Sequence, residues 1–291
     1  MGFRLQSAME YLTTYGWAIL VVAIIIVALF QLGVFNGSQP PSIPSGACQV
    51  MHNAAGINLV GECNNAPPAF VARPSGSNGY IYASVGRYFG DNNPLTVAVW
   101  VYMNATANGP IIGITNSPPG GGWNMPFISV QYPTIWGDIW SNGALSYTVS
   151  SPGWYFVAFT YSPSGSGTYS LYINGNLASS ASGQYSPSGA VDYWTTYVPG
   201  CRPGPSSCSD TVGSRFGGMI ANVQTYNATL SNNEIQSIYA AGIGGAPTSL
   251  LYLTGWWPLN GNTNDYSGNA NNGKQAGVSY ISSWSNGYVS P

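Results

Sequence analysis

Residues 153–180, GWYFVAFTYSPSGSGTYSLYINGNLASS, decide the fold. From Trp154 to Tyr161 the apolar positions alternate, the period of a strand with one face turned to a core. Residues 168–180 read as two short strands around Asn174-Gly175, a dipeptide that supplies the two left-handed residues of a tight hairpin. Upstream, LTVAVWVYM at 95–103 puts Leu95, Val97, Val99 and Val101 on one face. Short strands with frequent turn residues predict a mainly β chain, an antiparallel β-sandwich. One helix interrupts it: in TLSNNEIQSIYAAG at 229–242, Ser231 and Glu234 have capping-box spacing, Ile235, Ile238 and Tyr239 share a face, and Gly242 is the stop.

The 291 residues are enough for one large or two ordinary domains. Charged residues make up only 5% of them, against about 25% in ordinary globular chains. Aromatics at 14% supply apolar area to bury, which argues against disorder. Six basic residues, scattered singly at a net charge of −2, exclude a nucleic-acid footprint. So few ionisable groups also predict a fold that tolerates acid, because little is there to protonate.

The N-terminus is a different material. Every residue from Trp17 to Phe30 is apolar, and with its flanks, Tyr11 to Phe35, the run makes a helix of about 37 Å, long enough to span a bilayer. Arg4 precedes it and no Lys or Arg follows until Arg73, which places the N-terminus inside and the bulk outside. A Pro, Gly and Ser tract at 36–47 ends the helix and acts as a spacer. Cys48, Cys63, Cys201 and Cys208 allow three pairings, of which Cys48 with Cys63 and Cys201 with Cys208 close the shortest loops and suit an oxidising exterior. Asn36, Asn104 and Asn227 each begin an N-x-S/T glycosylation sequon.

Two resemblances follow from these residues. A short basic leader, then Gln6, Ser7, Glu10 and an apolar helix, resembles archaeal type IV pilin-like proteins with class III signal peptides. This implies cleavage by a prepilin peptidase between Leu5 and Gln6, although Leu5 stands where that family commonly has Gly. It also implies self-association of the helix into a filament core. In such a core Glu10 would pair with the new α-amino group of a neighbouring subunit, relieving a buried charge. The other reading of Glu10 is a carboxylate at the aqueous end of an ordinary membrane anchor. Separately, LTVAVWVY, PGWYFVAFTYS with SLYINGNL, and FGGMIANVQTYNATLSNNEIQSIYAAG together resemble the LamG-like, concanavalin A-like jelly roll.

The expected organisation is a leader at 1–5, the apolar helix at 6–36 and a linker at 37–63 holding the Cys48–Cys63 loop. A LamG-like sandwich follows at 64–247, with a C-terminal strand segment at 248–291. A W-x-L-x-G…D-x-S-G-N run lies in that last segment, whereas the family usually carries it before the first strands. Either it completes the same sandwich in permuted order or it is donated to a neighbouring subunit.

For chemistry, glucanases of this fold set two carboxylates about 5 Å apart on one strand, and no such run occurs, so an enzyme is not expected. Binding is better supported. In PTIWGDIWSNG alternation puts Trp136, Asp138 and Trp140 opposite Ile135 and Ile139, a glycan platform if the isoleucines face the core, or tryptophans buried under a loop if they do not. Trp123 and Trp194 are further candidates, in loops. Asp265, amid amides and carbonyls, is a candidate calcium ligand of the kind LamG-like domains use. The chain is expected at the cell surface, as a filament subunit or adhesin with glycans as partners. Runner-up readings are a non-polymerising anchored carbohydrate-binding protein and, third, a glycoside hydrolase.

Overall fold

The computed structural model describes residues 15–27, 47–52, 58–64, 67–74, 79–85, 92–119, 121–139, 144–184, 193–198 and 214–291. Contacts divide the chain into a unit of residues 1–42 and a unit of residues 43–291. In the first, helix α1 covers residues 15–27, and all its side chains are exposed. Among the described residues no helix is long and apolar enough to cross a membrane. The apolar run read in the sequence continues on both sides of α1, outside the described residues, as do Leu5, Gln6, Glu10 and Asn36.

The second unit is an antiparallel sandwich. Its strands begin with β1 (Ala47–His52), β2 (Asn58–Asn64), β3 (Val71–Pro74), β4 (Tyr80–Ser84), β5 (Leu95–Met103), β6 (Asn108–Ser117) and β7 (Gly121–Gln131). Then come β8 (Thr134–Gly137), β9 (Leu145–Thr148), β10 (Gly153–Ser162), β11 (Thr168–Ile173) and β12 (Asn176–Ser182). After β13 (Tyr193–Thr195), β14 (Tyr197–Val198), β15 (Ser214–Arg215) and β16 (Met219–Tyr226) comes helix α2 (Asn232–Ala240). The chain closes with a 3-10 turn (Leu250–Tyr252), β17 (Leu253–Trp257), β18 (Lys274–Ala276) and β19 (Val278–Ile281).

One sheet runs β12-β11-β10-β5-β16-β3-β19, with β17 also on β16; the other runs β18-β4-β13-β6-β7-β8-β9. Local chemistry builds these elements as the sequence predicts. Asn174 and Gly175 take φ of 49° and 75° and let Ile173 face Asn176 across the hairpin. Ser231 Oγ accepts from Glu234 N–H while the Glu234 carboxylate accepts from Ser231 N–H, a complete capping box.

The sheets bury their facing sides together: Leu95, Val97, Val99 and Val101 of β5 meet Ile114, Phe127, Val130 and Ile135 of the other sheet. The opposite side of β5 is buried too. Ala98 and Trp100, with Phe156 and Ala158 of β10, lie in a second core with Ile235 and Ile238 of α2. Each buried isoleucine contributes about 1.5–3 kcal/mol, which is what fixes this short helix to the sheet.

The C-terminal segment pairs within the chain: β17 with β16, β18 with β4 and β19 with β3. A bulge in β16 makes room for it. Asn222, at φ 51°, donates its backbone N–H to Pro258 O, and its side chain links Gly245 O to the Trp256 indole. Gln224 and Tyr226 extend this buried chain of hydrogen bonds, which leaves no member unpaired.

Candidate functional site

The outward face of the seven-stranded sheet carries aromatic rings among hydroxyls. In β4 the alternation YIYAS buries Ile81 and Ala83 and leaves Tyr80, Tyr82 and Ser84 half-buried on the other side. β13 sets Thr195 opposite Tyr82 and Tyr193 opposite Ser84. The rings follow one another, Tyr80 to Tyr82 at 6.0 Å and Tyr82 to Tyr193 at 6.3 Å between centroids. β18 brings the exposed Lys274 opposite Tyr82.

Four strands away on the same sheet, β8 places half-buried Trp136 between Ser129 and Ser146. Ile135 and Ile139 are in the core, so Trp136 faces outward. Its indole N–H is buried without a partner among the described residues. Across the sheet, four strand spacings, about 19 Å, separate the strand of Trp136 from that of Tyr80 and Tyr82, and three separate it from that of Tyr193. Such a surface can stack on ring faces and exchange hydrogen bonds with hydroxyls.

The three-residue platform read from the sequence is described only in part. Trp140 lies outside the described residues, and β8 ends at Gly137, just before Asp138. Asp138 is half-buried, and the phenol of core residue Tyr169 is raised above its ordinary range first by burial and then by the Asp138 charge. Trp194 is a correction. Register between β4 and β6 aligns it with Ala83 and Ile114, so it is fully buried between the sheets, edge-on to Trp257 at 5.2 Å. Trp123 sits in strand β7 instead of a loop, and its side chain lies outside the described residues. The tyrosine row escaped the sequence reading, although the YIYAS alternation carries it.

Asp265 does not offer a calcium site. Its Oδ1 accepts from the N–H groups of Trp256 and Ser267, at 3.0 and 2.9 Å, and its Oδ2 accepts from Ser267 Oγ–H and Asn271 N–H, both at 2.9 Å. Both oxygens are committed to their own loop. Among the described residues no three His, Cys, Asp or Glu side chains group where a metal could sit, so the residues present do not fit the ion. Glu234 is likewise taken, by Ser231 and by the Ser249 hydroxyl, and the Ser231 N–H holds its carboxyl below the usual range.

Cys48 and Cys63 are register partners across β1 and β2. Cys201 and Cys208 lie outside the described residues. Asn104 Oδ1 accepts from both the backbone N–H and the hydroxyl of Thr106 in an exposed turn, whereas Asn227 Oδ1 is buried.

A family described as the concanavalin A-like lectin/glucanases superfamily matches residues 75–236. No curated protein matches the chain. Among solved structures, similarity extends to a protein of Bacteroides ovatus provisionally described as carbohydrate binding, at 18% identity and TM-score 0.48 over 74% of this chain and 60% of that one. This chain therefore spans under two thirds of that protein's length. It is also similar to a heptameric SAP-like pentraxin of Limulus polyphemus, at 12% identity and TM-score 0.45 over 74% and 96% of the two chains. A sialidase CBM40 module of Ruminococcus gnavus bound to α2,3-sialyllactose gives 14% and 0.41 over 60% and 100%.

Proposed function

The chain belongs to the concanavalin A-like lectin/glucanases superfamily, and from that premise we propose that its sandwich is a glycan-binding head, carried at the cell surface by a pilin-like N-terminal segment. The observation that carries the binding reading is the outward face of β4, β13 and β8. There half-buried Tyr80, Tyr82, Tyr193 and Trp136 lie with the serine hydroxyls of Ser84, opposite Tyr193, and Ser146, opposite Trp136. Rings take the apolar faces of sugars and hydroxyls order their edges, while a nearly uncharged surface imposes little desolvation on a neutral ligand.

Hydrolysis finds no support in Glu234 or Asp265. Glu234 is held in its helix cap and Asp265 in its loop, and neither leaves an acid–nucleophile pair across a bound sugar. The head binds without turnover.

Assembly rests on the N-terminal sequence. A prepilin peptidase cuts between Leu5 and Gln6, the apolar helix enters a filament core, and Glu10 neutralises the amine of its neighbour. Intact mass of the native protein tests this: a chain starting at Gln6 supports the filament, and retention of Met1 refutes it in favour of a permanent membrane anchor. Glycan-array binding tests the head. Trp136→Ala and Tyr82→Ala should each weaken the bound class about tenfold or more with the fold retained, and unchanged binding in both variants refutes the face.

A further inference from the structure

On the far side of the sandwich, over the outer face of the eight-stranded sheet, lies a cavity of about 340 Å³ that the glycan-binding reading does not use. Trp100, Trp154, Tyr155 and Tyr239 supply its rings, and Asn174 and Gly287 supply its polar groups. The volume falls within the range of small-ligand sites, about 300–1,000 Å³.

Three features limit what could occupy it. First, the cavity is lined without a single Asp, Glu, Lys, Arg or His, so a charged ligand would lose its hydration with nothing in return. Second, the aromatic walls are held in place. Trp100 stacks on Tyr239 at 24° and meets Tyr288 edge-on, and the Trp154 indole donates to Trp284 O. Third, the hydrogen-bonding groups are incomplete. Asn174 commits its Oδ1 to Phe156 N–H but has an amide nitrogen to donate. The Trp100 indole N–H has no partner among the described residues, but it is out of reach of solvent in a residue only 2% exposed, so Trp100 offers the cavity its ring alone.

We propose that this cavity is a second binding site, for a neutral polyhydroxylated ring such as a single pyranose, independent of the outward face of the other sheet. One ring face lies against the aromatic wall while a hydroxyl oxygen accepts from Asn174 Nδ2. The site keeps its affinity across salt and mild pH changes, because no charge lines it.

The test uses the full chain labelled with ¹⁵N-tryptophan, the indole signals assigned by single Trp→Phe variants. Methyl glycosides of glucose, galactose, mannose and N-acetylglucosamine are titrated to millimolar levels. Expected are saturable shifts of the Trp100 and Trp154 signals that survive Trp136→Ala. They should be lost in Ser151→Trp, which fills the mouth from an exposed position, and in Asn174→Gly, which keeps the turn but removes the amide. Shifts at Trp136 alone support the outward face and overturn this site. Shifts at Trp100 and Trp154 alone leave this site standing while the outward face fails. No shift at Trp100 or Trp154 with any of the sugars overturns it, as does a shift given only by a peptide of residues 36–47, which would make the cavity a cradle for the proline-rich spacer.

Discussion

Removing the Asp265 carboxylate should unfasten the C-terminal segment. Its two oxygens accept four hydrogen bonds within residues 256–271, and the same loop returns Asn271 O to the Trp257 indole and Asn269 Nδ2 to Leu253 O and Thr254 O. Trp256 and Trp257 are both fully buried, on opposite sides of the eight-stranded sheet, so the loop fixes β17 in both cores at once. Hydrogen bonds to a charged group are each worth about 1.5–3 kcal/mol, but Asp265 is only half-buried and water replaces part of the loss, so Asp265→Ala should cost about 2–4 kcal/mol. That lowers Tm by about 5–15 °C for a unit of this size. Asp265→Asn keeps an acceptor at Oδ1 but turns an amide donor toward Asn271 N–H, and should cost about half as much. The assay is urea and thermal unfolding of the full chain by tryptophan fluorescence, with and without EDTA. A loss under about 0.5 kcal/mol in Asp265→Ala, or destabilisation of the wild type by EDTA, would refute the reasoning, the latter in favour of calcium.

Stability should be asymmetric in pH. The Tyr280 phenol is pushed up to about 12 by burial, and Tyr226 well beyond its ordinary range by burial and then by the Glu234 charge. A raised folded value means their contribution is intact below the unfolded value near 10 and is lost as pH climbs through the folded value, about 12 for Tyr280. Glu234, held low, contributes above its unfolded value near 4.3 and loses that contribution as pH falls, a deficit of one helix cap. Circular dichroism should therefore show a fold kept between about pH 4 and 2 but lost in alkali, and the reverse order would be evidence against it. In a glycosylating host, glycopeptide mass spectrometry should find Asn104 occupied and Asn227 bare, since Asn104 lies in an exposed turn whereas the Asn227 side-chain oxygen is buried; a glycan on Asn227 of folded protein contradicts this. A non-reducing peptide map should join Cys48 to Cys63, the register partners of β1 and β2, and a cross-link from either to Cys201 or Cys208 would count against the pairing.

What could be read from the sequence was local. The hairpin at Asn174-Gly175 and the box at Ser231 and Glu234 are settled by residues within four positions of each other, and both stand as read. Outward placement of Trp136 was legible because Ile135 and Ile139 alternate with it. Trp194 was not: its neighbours in sequence look like a loop, and it is buried only because β13 threads between β4 and β6, strands about 110 and 80 residues earlier, respectively. The second core was hidden for the same reason. Ala98 and Trp100 read as the free face of a strand until α2 comes back from residue 232 to cover them. The Asn222 bulge has no local signature, since it exists to receive Pro258 from the far end of the chain.

That return of the chain end has a consequence for biogenesis. β19 completes the border beside β3, and β18 the border beside β4, so the first strands of the two sheets wait for the last ones made. Pairings this distant form slowly, and a chain emerging from its N-terminus presents two open strand edges throughout synthesis. Synthesis and folding are thereby coupled: β3 and β4 lack their last partners until the final residues arrive, and delay at that stage favours intermolecular strand pairing over closure.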